Sequence, residues 1–378
     1  MRSTLPKPRR DLYLAVAWCV LWLALIDIGV GFALRQLEAR SPESGLLRYF
    51  AYGRSIEGKL DRSTALPPNA KGASIVHAAW LDPAQWVGLP SRPRPGSDLL
   101  VAVYGQSFAA NAAREAARID TRLTLREIGG PAAAPDHSFA AVQLDAPARR
   151  ADVTVVGILA SSVSRIGAMS GVSSTFESPA PFTYPHYALH DGVLQAEMPV
   201  FTTERAFREA FAARSAQWQD FKRQLAKNDR GYDPIAFDRT PLDASQLVLL
   251  MRRGWVAQSQ HYDRGVYERG RGFDPEAEPI RVLRAMLRQL GREAVTRDER
   301  LIVLLEQDQG YADHLEQALG ATLREAGIEY ISTHTLFSSQ DPRNFVPDGH
   351  YSETANAKLG AALAAVIRSP RPAKAAHR

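Results

Sequence analysis

Residues 12–34, LYLAVAWCVLWLALIDIGVGFAL, limit what this chain can be more than any other stretch, because they carry a single charge, Asp27. As a helix the segment reaches roughly 34 Å, enough to cross a hydrocarbon core of about 30 Å. Arg2, Lys7, Arg9 and Arg10 precede it, whereas the flank behind it mixes Arg35, Glu38, Arg40 and Glu43. This bias predicts a single-pass protein of the inner (cytoplasmic) membrane, with residues 1–11 in the cytoplasm and the main domain in the periplasm or outside the cell. A cleaved signal peptide has a shorter apolar core and a small-x-small site after it, and no such site follows Leu34. Asp27 has three readings: a functional intramembrane carboxylate, a contact to a partner helix, or a polar residue tolerated near the outer third of the span.

Composition narrows the classes further. The net charge of +5 is mild and spread along the chain, with no dense basic cluster among aromatics, so nucleic acid is not an expected partner. Cys19 is the only cysteine and lies inside the apolar stretch. The rest of the chain therefore has no disulfide scaffold, no Cys-ligated zinc and no cysteine nucleophile.

Beyond the apolar stretch, residues 35–72 read as a polar linker. SIVHAAW (74–80) and LLVAVYG (99–105) read as strands, after which strand and helix alternate. SFAANAAREAARI (107–119) is a helix, LTLREI (123–128) a strand, DHSFAAVQLD (136–145) a helix and DVTVVGILA (152–160) a continuous apolar strand. Such runs mark strands buried on both faces. Residues of about 165–275, with a long helix near 203–227, break the rhythm and read as an insertion or lid over one end of the sheet. Alternation returns with a helix at 278–294, a strand at 299–307, a helix at 312–327, a strand at 328–332 and a helix at 352–367. The expected fold class is α/β, a doubly wound, mostly parallel sheet spanning residues 73–368, with a disordered tail at 369–378.

Two features carry chemistry. Ser107, in VAVYGQSFA, follows a buried strand and opens a helix, so its hydroxyl is presented at the carboxyl end of the sheet, where open α/β sheets place their sites. Its amide, at a helix N-terminus, is placed to donate to a developing oxyanion. The plainer reading is a serine N-cap. Asp348-Gly349-His350, in NFVPDGHYSETANAKLG, sits before the last helix; an aspartate two residues from a histidine can orient the imidazole, which then takes the serine proton. Pro-Asp-Gly is also an ordinary turn signal.

Together these residues resemble the SGNH (GDSL-like) hydrolase superfamily over about 98–165 and 297–368. Gly105-Gln106-Ser107 stands where that family has Gly-Asp-Ser, Gly129-Gly130 follow the second strand, and Asp348 and His350 precede the last helix. The resemblance implies Ser107 as nucleophile, His350 as general base, Asp348 as its orienter, and the amides of Ser107 and Gly130 (or Gly129) as oxyanion donors. The family's asparagine after the third strand is absent; Ala160-Ser161-Ser162 stands there, so a hydroxyl of Ser161 or Ser162 is the candidate substitute. Several membrane-anchored, polysaccharide-modifying branches of the family look like this chain. The implied activity is an O-acyl esterase or O-acetyltransferase on a cell-surface or exported carbohydrate, without cofactor or metal, with a multispanning membrane partner as the implied supplier of the acyl group. The alternatives are a lipid or small-ester hydrolase, and a non-catalytic SGNH-like module that binds glycan or an envelope partner.

Other residues have weaker claims. His186 and His190 lie four apart, but Pro185 argues against a helix-borne metal pair. Asp136-His137 follows the Gly-rich loop and reads either as a neighbour of the pocket or as a helix start with a partly exposed histidine. Phe182, Tyr184, Tyr187 and Trp255 read as a sugar-stacking wall or as ordinary packing. Arg281, Arg284, Arg288 and Arg292 follow helical spacing and read as a solvated face or as a patch that attracts an anionic polymer or lipid headgroup.

Overall fold

The computed structural model describes residues 7–67, 70, 74–260 and 262–371. The elements used below are, in chain order, α1 (Lys7–Arg40), α2 (Gly45–Ala51), β1 (Leu99–Gly105), α3 (Ser107–Ile119), β2 (Leu123–Gly129), α4 (Pro135–Asp145), β3 (Val153–Leu159), α5 (Gln246–Ser259), α6 (Glu278–Arg297), β4 (Arg300–Glu306), α7 (His314–Glu325), β5 (Glu329–Ser332) and α8 (Glu353–Arg368). They divide between two compact units.

The larger unit is built on one five-stranded, all-parallel sheet with strand order β2-β1-β3-β4-β5. Every residue of β3 and β4 is buried, as expected where both faces of a parallel sheet are covered. Apart from Phe108 in its first turn, the side chains that α3 buries are all small: Ala109, Ala112, Ala113 and Ala116. That lets α8 approach closely, and Leu359 and Leu363 pack there above Val101, Val155 and Ile302. Because the order reverses between β1 and β3, a crevice opens at the carboxyl ends of these strands. All five strands end on that side, so the segments after β1, β2, β3 and β4 converge there.

The sheet unit differs from the sequence reading in two places. SIVHAAW is not a strand: Ser74–His77 form a helical turn. Trp80 is buried by donating Nε1 to the Val76 carbonyl (2.9 Å) and packing on Phe207, which satisfies it without a neighbouring strand. The helix expected near 203–227 is two helices, Glu204–Ala213 and Ala216–Asn228, split by Arg214 in the left-handed region and recapped by Ser215.

Among the described residues, the smaller unit comprises 7–62, 176–178 and 233–260. Two expectations are corrected here. The linker read at 35–72 contains α2 and a helix at Ile56–Thr64. Part of the segment read as a lid, 233–260, belongs with the N-terminal helix instead. This unit has a polar core: Arg252 on α5 pairs with Asp243 (2.6 Å) and donates to the carbonyls of Gly53 and Ile235, while the Ser55 hydroxyl donates to Asp243. α1 is long and apolar enough to cross a membrane. Most of the tail read as disordered, 372–378, lies outside the described residues.

Candidate active site

The turn after β1 is where the backbone is most constrained. Gly105 has φ +153°, and a Cβ there would meet the Ala109 methyl at 3.0 Å. A Cβ on Gly129, at the matching end of β2, would lie 1.8 Å from the Gly105 carbonyl oxygen. Glycine at both points lets β1 turn sharply into α3. Gln106 occupies the N-cap position but makes no side-chain cap; its amide donates instead to the Ala133 carbonyl at 2.8 Å. Ser107 is therefore the first helical residue rather than the cap, and no side chain closes this end of the helix. Gln106, Ser107 and Ala110 of this helix start line the crevice, and a helix N-terminus is a setting that favours negative charge.

The hydroxyl of Ser107 lies 2.7 Å from His350 Nε2. On the other side of the ring, Nδ1 is 3.0 Å from Asp348 Oδ1, and the same oxygen accepts the His350 backbone amide at 3.1 Å. The carboxylate favours the proton on Nδ1 and leaves Nε2 as the acceptor facing the serine. His350 holds Asp348 below the ordinary carboxylate range, first through its amide and then through its ring. Two neighbours hold the imidazole. Phe108 stacks on it at 5.0 Å with an interplanar angle of 17°, and buried Tyr351 anchors the following residue by donating to the Gln307 carbonyl. One residue further on, Ser352 caps α8.

The structure brings together Ser107, Asp348 and His350, three residues singled out from the sequence. Gly129 and Gly130 line a groove of about 420 Å³ together with Ser107 and His350. Ser161 and Ser162 do not line it. The Ser161 amide donates to Asp308 at 2.6 Å and the buried Ser162 hydroxyl donates to Leu159 O, so the proposed hydroxyl substitute for the missing asparagine is not at the groove. Other groove residues escaped the sequence reading. Arg114 and Glu127 line the groove as an ion pair, Nε to Oε1 at 3.0 Å. The available clue was helical phase, since Arg114 is seven residues, two turns, beyond Ser107.

The remaining candidates lie elsewhere. His186 and His190 lie on one strand of an antiparallel hairpin with Val193–Glu197. Asp136 and His137 are fully buried rather than partly exposed. Phe182, Tyr184 and Tyr187 are core residues, packed among themselves and around His137 and Phe139, so they form no open wall. Trp255 is 46% exposed but belongs to the smaller unit. In comparisons with known proteins, no family model, curated protein or solved structure matches this chain.

Proposed function

We propose that the chain is a membrane-anchored acyl-transfer enzyme of the SGNH type, with the three-layer arrangement of that superfamily, acting as an O-acyl esterase or O-acetyltransferase on a cell-surface or exported carbohydrate. The observation that carries this reading is the relay Ser107 Oγ–His350 Nε2–His350 Nδ1–Asp348 Oδ1, with separations of 2.7 and 3.0 Å. In the reaction Ser107 Oγ attacks the ester carbonyl as His350 takes its proton. The oxyanion forms against the first amides of α3 and, across the groove, the backbone at Gly129-Gly130. The alkoxide leaves with the proton from His350, and a water or sugar hydroxyl then reverses the sequence on the acyl-serine.

Support for a carbohydrate rather than a lipid acceptor comes from a second recess of about 630 Å³ in the sheet unit. It follows β4, and Tyr267 and Tyr311 stack there at 4.4 Å beside Asp263, Arg269, Gln309 and Gln340. Aromatic rings among planar polar groups suit sugar rings better than acyl chains. α1 supplies the anchor, with the N-terminus cytoplasmic and the catalytic unit outside, where a multispanning partner delivers the acyl group. Ser161 and Ser162 favour a second reading, a glycan-binding module without turnover, because the family's oxyanion side chain has no counterpart there. Fluorophosphonate labelling and hydrolysis of a chromogenic acetyl ester by the full chain, compared with Ser107→Ala and His350→Ala, decide between them. Labelling and turnover that vanish in both variants support the enzyme; a wild type that neither labels nor turns over supports the module.

A further inference from the structure

Asp27 lies inside the apolar stretch, about seven residues and therefore roughly 10 Å short of its outer end at Leu34. Its carboxylate accepts the backbone amide of Leu247, in the first turn of α5, at 2.7 Å. One turn further along α1, Gly31 faces Gln246, whose Cγ would lie 3.8 Å from a Cβ at that position. Leu34, a further turn on, is buried, while residues 11–26 are exposed around α1. Asp27, Gly31 and Leu34 form one stripe of a helix, and the start of α5 lies on it. If α1 crosses a membrane at 12–34, the first turn of α5 cannot be in water. It lies beside the apolar stretch at the depth of Asp27.

The chemistry of that turn suits such a depth. In hydrocarbon the unpaired amides of a helix start are costly unless they find acceptors. Here the Ser245 hydroxyl accepts from Val248 and Asp27 accepts from Leu247. The carboxylate and the helix start thus offset each other's desolvation, which accounts for a charge within the span. The arginines of α5 are engaged within the unit, Arg252 with Asp243 and Arg253 with Glu177. The stripe that continues from Leu247 at four-residue spacing is apolar and open: Met251 is 65% exposed and Trp255 46%, and Leu242, in the turn before α5, is 61% exposed. Trp255 donates Nε1 to Asp233 at 2.6 Å, so one edge of a half-exposed ring is polar, the form of a membrane-boundary anchor. From Leu247 to Trp255 α5 advances about 12 Å, close to the distance from Asp27 to the end of the apolar stretch.

We infer that the turn at Leu242 and the first half of α5 are sunk in the outer leaflet beside α1, with lipid acyl chains covering Leu242 and Met251 and Trp255 at the headgroup boundary. The anchor is then a helix plus a wedge that enters one leaflet, not a single helix. This inference rests on α1 being a membrane span, and the experiment separates the two. The full chain is reconstituted in phosphatidylcholine–phosphatidylglycerol vesicles with one nitroxide label, on native Cys19, or on Met251→Cys, Leu242→Cys or Gln219→Cys in a Cys19→Ser background. Relaxation by oxygen is compared with relaxation by a water-soluble nickel chelate present on both sides of the membrane. Labels at 251 and 242 are expected to lose the nickel effect and keep the oxygen effect, as at Cys19, while 219, on the exposed surface of the sheet unit, shows the reverse. Nickel contact at 251 and 242 with Cys19 protected overturns the wedge and leaves the span. Nickel contact at Cys19 as well overturns the span itself. Protection at 251 and 242 from both reagents means that a second copy of the chain covers the face, which also overturns the inference.

Discussion

Two aspartate–histidine pairs of the sheet unit, Asp348 with His350 and Asp136 with His137, are chemical opposites. In Asp348-Gly349-His350 the side chains are 70% and 38% exposed, bonded to each other, and the second ring nitrogen meets a serine hydroxyl. In Asp136-His137 both residues are buried and the side chains are not paired. His137 Nε2 lies 2.8 Å from the Ala79 carbonyl, its Nδ1 has no hydrogen-bond partner, and its ring meets the edges of Phe182 and Tyr184. Asp136 instead accepts the His137 amide. Burial pushes the Asp136 carboxyl well above its usual range and pushes His137 down to about 4, so in both residues it disfavours the charged form, and His137 is neutral at neutral pH. A general base must exchange protons with substrate and solvent. Only the exposed pair can do so, and the buried pair has become part of the core.

The widest gap between the pairs is in turnover. Ser107→Ala and His350→Ala should each lower acyl-ester turnover by roughly 10⁴-fold or more, and the double variant should be little worse than either, since residues that act as a unit are not additive. His137→Gln and Asp136→Asn should leave kcat within a few-fold. A comparable loss in the buried pair would mean that it too takes part in turnover. Asp348→Asn comes next: it removes the group that sets the ring's tautomer, and a loss of about 10² in kcat is expected, with KM little changed. Rescue by Asp348→Glu would show that charge rather than the turn's shape is what matters.

Why one pair was legible in the sequence and the other was not follows from their surroundings. Ser107 and His350 are announced by what adjoins them, a buried strand before one and the final helix after the other, so local pattern sufficed. The strands were legible for the same reason, being uninterrupted apolar runs such as VTVVGIL. The state of His137 is set by Ala79, Phe182 and Tyr184, up to 58 residues away, and no pattern around Pro135 reveals that they close over it. The same limit hid Arg114–Glu127, a pair made by the neighbourhood of α3 and β2, and the bond from Leu247 to Asp27, 220 residues apart. Ser74–His77 misled because an apolar tryptophan near a short run imitates a strand, although here Trp80 is buried by its own turn.

The third difference is in acid stability. His137, depressed to about 4 from an ordinary value near 6.5, contributes stability that is fully present above pH 6.5 and is lost as pH falls through 4. Over that window wild type should lose about 3 kcal/mol more than His137→Gln, whose amide can still donate to Ala79 O. At pH 7 the variant should be the less stable, by about 1–2 kcal/mol, for loss of the two aromatic contacts. Urea unfolding at pH 7 and pH 4.5 measures both terms. Parallel losses in the two proteins would mean that His137 is charged inside the fold.

The smallest effect separates Asp136 from Asp348 most sharply. A carboxyl raised by burial behaves oppositely to a paired one: its contribution is fully present below the unfolded value and is lost as pH rises through the folded value. Asp136→Asn cannot ionise, so it escapes that loss. Its cost is steric and directional, because Asp136 accepts amides on both oxygens, from His137 at 3.0 Å and Gly167 at 3.5 Å, and an amide nitrogen cannot accept. About 1 kcal/mol of destabilisation is expected at pH 4, narrowing as the pH approaches 8. Denaturant midpoints at the two pH values measure the trend, with nearby Asp229, which also adds to the upward shift of Asp136, present in both proteins. A gap that widens toward pH 8 would mean that the ionised carboxylate stabilises the native state, and Asp136 would then be, like Asp348, a working anion rather than a neutral part of the core.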